Sequence, residues 1–180
     1  NASHLETKLV PIDYDAEAEC PTWDKFLARS LPDSEIQDYL QVMSGYCLTG
    51  EVREQKVFIL IGDGANGKSV FLKVLRDLIG DFAVIASADL LVDRRFESHP
   101  TGTAELKGAR LASCNEIEGN AKLSEVKIKQ LTGGDTLQAR RMRKDFFKFE
   151  PTHKVVLVAN YKPEINGTDE GIWRRIVHIP

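Results

Sequence analysis

Gly62-Asp63-Gly64-Ala65-Asn66-Gly67-Lys68-Ser69 decides how this chain is read. The segment fits the spacing G-x-x-x-x-G-K-S/T at every position, and each position has a physical reason. Glycines admit the backbone angles that turn successive N–H groups inward to make a concave anion nest. A helix starting near Gly67 aims its positive dipole end at the same point. Lys68 can then reach the outer phosphates of a nucleotide, and the Ser69 hydroxyl can take a place on magnesium.

The flanks meet the same requirement. Val57–Ile61 is a continuous apolar run, the mark of a strand buried on both faces of a parallel sheet. Lys68–Ile79 carries Val70, Phe71, Val74, Leu75 and Leu78 at helical spacing, which predicts one apolar face. Strand, glycine loop and helix in that order predict a phosphate-binding loop (P-loop) for ATP and Mg2+, contacted by Gly62, Asp63, Gly64, Ala65, Asn66, Gly67, Lys68, Ser69 and Val70.

Downstream, strands and helices alternate. Ala83–Ala86, Arg110–Cys114, Val155–Ala159 and Ile176–Ile179 read as strands, and Ala104–Gly108 and Leu123–Leu131 as helices. The fold class expected is therefore α/β, a three-layer P-loop NTPase with a mostly parallel five-stranded sheet. Residues 53–180 are assigned to this ATPase core and residues 1–52 to a helical lead-in packed on it. In the lead-in, Thr22–Arg29 and about Asp33–Leu48 read as helices, the second with Asp33-Ser34 at its cap and Ile36, Tyr39, Leu40 and Met43 on one face.

Two strand ends carry candidate chemistry. Glu116 emerges where the apolar run Arg110–Cys114 ends, and Glu118 follows two residues later. Carboxylates so placed can hold the metal and orient the attacking water. Val155–Ala159 ends in Asn160, an amide able to bond both the γ-phosphate and the lytic water. Asp135–Glu150 breaks the alternation: two strand-like segments flank Arg140-Arg141-Met142-Arg143-Lys144, which predicts a β-hairpin with a basic tip.

Composition narrows the classes further. Net charge is −3, with 42% hydrophobic and 28% charged residues, an ordinary globular balance rather than a basic coat for nucleic acid. No run of about 18 apolar residues is present, so no membrane span is expected. No leader pattern is seen, and Cys20, Cys47 and Cys114 lack metal or disulfide spacing, which suits a cytoplasmic protein. The four histidines match no ligand pattern and are expected to be structural or surface residues.

Taken together, "GDGANGKS", "RLASCNEIEG", "IKQLTGGDTLQARRMRKDFFKFEP", "KVVLVANYKP" and "GIWRRIVHIP" resemble the superfamily 3 helicases, a branch of the AAA+ ATPases. The resemblance is to the helicase domain of phage and plasmid primase–helicases, and the poxvirus primase–helicase is also similar. It implies hexameric rings around single-stranded or fork DNA, with ATP bound between subunits. It implies that Lys68 and Ser69 are Walker A residues, Glu116 with Glu118 the Walker B acids (Glu116 beside Ser69 on magnesium), and Asn160 the sensor. Arg141, Arg143 and Lys144 would face DNA in the channel. Arg175, ahead of its neighbour Arg174, would match the finger that reaches the next subunit's ATP. The family usually carries a primase region upstream and continues beyond Pro180, so a motor core of a longer phage or plasmid protein in a bacterial host is expected.

Two other function classes fit parts of the pattern. A small-molecule P-loop kinase could use Arg140–Lys144 as a phosphate lid. A nucleotide-dependent scaffold could bind DNA without unwinding it.

Overall fold

The computed structural model describes residues 7–93, 101–115, 122–165 and 169–180. Five strands form one sheet in which every pairing is parallel. They are β1 (Val57–Ile61), β2 (Ala83–Ala86), β3 (Leu111–Cys114), β7 (Lys154–Ala159) and β9 (Ile176–Ile179), in the order β2-β3-β7-β1-β9. Because all five run the same way, their carboxyl ends share one edge. Ligands of open α/β sheets sit in the crevice outside that edge.

Alternation along the central strands divides the core in two. Val57, Ile59, Val155, Leu157 and Ala159 point to one face, where they meet Leu90–Val92, α5 (Glu125–Thr132) and α6 (Glu170–Trp173). Phe58, Leu60, Val156 and Val158 point to the other, covered by α2 (Ser34–Leu48) and α3 (Lys68–Ile79). Strands buried on both sides must be apolar throughout, which is why β1 and β7 read as unbroken apolar runs.

The lead-in contributes to this core. Leu40, Met43 and Cys47 of α2 are buried against β1 and α3, and burial of each large side chain is worth about 1.5–3 kcal/mol. Asp33 caps the helix, its carboxylate accepting from the Glu35 amide at 2.9 Å. By contrast, none of the ten residues of α1 (Pro21–Ser30) is buried.

Three local expectations shift. The core face of α3 consists of Phe71, Leu72, Leu75 and Ile79, whereas Val70, Val74 and Leu78 are 39–51% exposed. Either set has helical spacing; only the docking angle of α3 on the sheet chooses between them. The predicted helix Ala104–Gly108 lies earlier, as α4 (Thr101–Glu105). Lys122–Leu123 forms a short strand, β4, paired with β8 (Glu164–Ile165), so α5 starts two residues later than periodicity suggested.

The hairpin forms as expected. β5 (Leu137–Arg140) and β6 (Phe146–Phe149) pair antiparallel, with Leu137 opposite Phe149 and Arg140 opposite Phe146. Leu137, Ala139 and Phe149 enter the core and anchor its base.

Candidate functional site

At the carboxyl end of β1 the chain enters the Gly62–Ser69 loop, and α3 begins at Lys68. Gly67 is the N-cap residue, held at φ 92°, a left-handed conformation that glycine adopts without a Cβ penalty. Ala65 also has a positive φ of 63°. These two turns reverse the chain and bring Lys68 back over the loop. Its ammonium donates to Gly62 O at 2.5 Å, Asp63 O at 3.1 Å and Asn66 Oδ1 at 2.7 Å. All three Lys68 donors are thus gathered inside the loop, beside the start of a 12-residue helix.

Asn160 joins this loop through the sheet. β1 pairs with β7 so that Ile61 lies opposite Ala159, and the Gly62 amide donates to Ala159 O at 3.3 Å. Side-chain alternation then puts Asn160 on the same face as Val158, toward α3. Gly64–Val70, Val158 and Asn160 line one cleft of about 410 Å3. Gly62 and Asp63 enter the geometry through their carbonyls.

Sequence reasoning missed the opposite wall. Phe26, Arg29 and Ser30 of α1 line that same cleft. A Cβ on Gly67 would stand 2.9 Å from Ser30 Oγ and 3.0 Å from the Phe26 ring, so α1 rests directly on the loop. A second, mainly apolar cleft of about 310 Å3 continues from it, lined by Leu31, Pro32, Ile36, Leu60, Phe71 and Ile179 among others. No spacing pattern links α1 to a loop some forty residues away, so only the folded chain reveals this wall.

Glu116 and Glu118 lie outside the described residues. β3 ends at Cys114 on the same sheet edge as Gly62 and Asn160, two strands from β1. Among the described residues there is no cluster of three or more His, Cys, Asp or Glu side chains able to hold a metal. Of the expected magnesium ligands, Ser69 is the one whose position is described.

Arg141, Arg143 and Lys144 are exposed on the turn between β5 and β6, closed by the Lys144 amide donating to Arg141 O at 3.1 Å. Met142 at the same tip is 73% exposed. β6 leads into the start of β7, so the hairpin rises from the edge opposite the Gly62–Ser69 loop.

The two arginines before β9 separate sharply. Arg175 is buried: Nε donates to Thr132 Oγ1 at 3.2 Å, Nη1 to Gly171 O at 2.5 Å and Nη2 to Gln55 Oε1 at 3.1 Å. Arg174 is exposed, and among the described residues its side chain bonds once, Nη2 donating to Gln55 Oε1 at 2.7 Å. Three internal acceptors hold the Arg175 guanidinium inward, whereas Arg174 projects from the surface. The same contacts give the Thr132-Gly133-Gly134-Asp135 segment a structural role. Thr132 receives Arg175, and Gly133 O accepts from Gln55 Nε2 at 3.0 Å.

Both arginines sit at the amino end of β9, where the Val57 amide donates to Arg175 O at 2.8 Å. They are separated from the Gly62–Ser69 loop by the full length of β1, about 16 Å at a strand rise of about 3.3 Å per residue.

Three further buried groups, two thiols and one imidazole, stay neutral near pH 7. Burial pushes the thiols of Cys47 and Cys114 up to about 12. His153, 3% exposed, has neither ring nitrogen hydrogen-bonded, and burial first, then the Lys154 charge, lowers its pKa to about 4.

Residues 60–175 match the model of a family described as a family of unknown function, DUF5906. The chain belongs to the DUF5906 family. This DUF5906 chain is 33% identical over 175 residues to a protein of Acanthamoeba polyphaga mimivirus named a putative helicase, covering 96% of the chain and 18% of that protein. A second protein named a putative helicase, from Invertebrate iridescent virus 6, is 29% identical over 181 residues, covering 95% of the chain and 19% of the relative. African swine fever virus proteins named putative primases are 24% identical over 163 residues, covering 87% and 17%. The chain thus spans less than a fifth of the length of these relatives. Among solved structures, the C-terminal region of NrS-1 superposes with a TM-score of 0.64 at 15% identity, over 91% of this chain and 38% of that one, a likeness of fold. No helix among the described residues is long and apolar enough to cross a membrane.

Proposed function

We propose that this chain is the ATP-hydrolysing motor core of a viral DNA-replication helicase, a P-loop ATPase of the AAA+ type in superfamily 3. The observation that carries the proposal is the loop closing β1: Lys68 is folded over a glycine turn at a helix start, and Asn160 of the neighbouring strand lines the same cleft. The viral relatives named as helicases and primases support the replication setting.

In this reading the loop amides and the α3 dipole hold the β- and γ-phosphates of ATP. The Lys68 ammonium exchanges its loop acceptors for phosphate oxygens, stronger partners because both sides are then charged. The Ser69 hydroxyl would be one ligand of Mg2+, which would neutralise developing charge, with Glu116 and Glu118 as the proposed acids. Asn160 orients the lytic water. Size agrees: the polar cleft suits a triphosphate and the adjoining apolar one suits a base.

Arg174 is the finger candidate preferred here. It stands a strand's length from its own loop, so it serves a neighbouring subunit's ATP in a homo-oligomeric ring. Such a residue is worth roughly 10³–10⁵ in rate. Arg141, Arg143 and Lys144 on the exposed turn contact the DNA backbone, giving sequence-independent and salt-sensitive binding suited to movement along any single strand. The basic run sits on a hairpin at the sheet edge away from the loop, which disfavours a kinase lid closing over this chain's own nucleotide.

The test is ATP hydrolysis with and without single-stranded DNA. Lys68→Ala is expected to abolish turnover. Lys144→Ala is expected to keep basal turnover and lose most DNA stimulation. Turnover that survives Lys68→Ala would refute the site, and turnover that depends on a small hydroxylated acceptor would establish the kinase instead.

A further inference from the structure

The helix α1 makes a poor structural element by ordinary measures. None of its residues is buried, yet Phe26 and Ser30 lie against Gly67 and close the cleft over the phosphate loop. Arg29 lies three residues from Phe26, on the same side of the helix, and lines the same cleft. Among the described residues it has no ion pair and no side-chain hydrogen bond. Arg29 and Lys68 are the charged residues lining that cleft among the described residues, and no carboxylate lines it. Both are positive, so a polyanion in the cleft is attracted by both. The apolar cleft next door shares Phe26, Ser30 and Lys68 but not Arg29. That difference puts Arg29 on the phosphate side of the site rather than the base side.

We propose that Arg29 is a phosphate-binding residue, acting on the nucleotide held by the loop of its own chain and making α1 the second wall of that site. The proposal rests on the phosphate-loop reading above. A guanidinium can bind phosphate oxygens in a fork, whereas Lys68 acts as a point charge. Because α1 meets the loop through Phe26 and Ser30 and the core through Trp23 stacked on Phe71 at 5.8 Å, nucleotide binding would also bear on the position of α1.

The test is calorimetric titration of the whole chain with ATP, ADP and AMP, each with magnesium. The chains compared are wild type, Arg29→Ala, Arg29→Lys and Lys68→Ala. Arg29→Ala is expected to weaken ATP by roughly tenfold or more, ADP less, and AMP little. Arg29→Lys should keep most of the affinity, and thermal melting without nucleotide should be unchanged. An Arg29→Ala chain that binds ATP as wild type does, or that loses ATP and AMP equally, overturns the proposal while a weakened Lys68→Ala leaves the loop reading intact. A wild-type chain that binds none of the three overturns both.

Discussion

Replacing Gly67 by alanine tests the local geometry on which the site is built. Two penalties add. The residue sits at φ 92°, where an L side chain costs about 1–2 kcal/mol. Its new Cβ would also meet Ser30 Oγ at 2.9 Å and two Phe26 ring carbons at 3.0 Å, against about 3.5–4.0 Å for an ordinary contact. Ser30 can rotate away. Phe26 cannot do so freely, because it is stacked on Trp23 at 5.2 Å, so the ring or the whole of α1 must shift by about half an ångström or more. Overpacking costs about 1–3 kcal/mol, and the low end applies here because Ser30 can rotate and one added methyl is small. The expected loss is therefore about 2–3 kcal/mol, a fall in melting temperature of roughly 5–10 °C for a chain of this size. Gly64 is the control, since a Cβ there meets nothing within 4 Å. Urea denaturation followed by circular dichroism measures both variants, and Trp23 emission in a Trp173→Phe background reports whether α1 has moved. Equal stabilities for Gly67→Ala and Gly64→Ala, with unchanged tryptophan emission, would refute this account of the loop and of its contact with α1.

Two further outcomes follow from groups buried in the same fold. His153 has its pKa lowered from about 6.5 to about 4, so the unfolded chain binds the extra proton first as pH falls. Its contribution is stability present above about pH 6.5 and lost down to about pH 4, up to about 3 kcal/mol. His153→Gln should flatten that limb of a denaturation series at pH 4–7, and an unchanged slope would refute it. Arg175→Ala should destabilise by about 2–3 kcal/mol, because Thr132 Oγ1 and Gly171 O lose their donor and a buried side chain is removed, while Gln55 Oε1 keeps Arg174. Arg174→Ala should change stability by less than about 0.5 kcal/mol; a reversed order in the same melts would restore Arg175 as the outward-reaching residue.

What could be read ahead of the structure was whatever adjacent residues decide among themselves. Strand, loop and helix over residues 57–79 depend on a continuous apolar run, glycine turns and helical spacing within a few residues, and all three formed as expected. The hairpin was legible for the same reason, since its two strands pair across a short turn. Helix edges at α4 and α5 moved because weak local preferences there yield to pairing with β8 and packing on the core.

Choices between equivalent local patterns were made only by tertiary packing. Val70, Val74 and Leu78 have the same helical spacing as the residues α3 buries, and the sheet decided which face turned inward. Arg174 and Arg175 are identical side chains one residue apart. Their separation into an exposed arm and a buried strut depends on Gln55, Thr132 and Gly171, brought together from distant segments. The wall formed by α1 arises in the same way: a sequence states what each segment can bury or bind, whereas which distant segment it meets is settled when the whole chain closes its core.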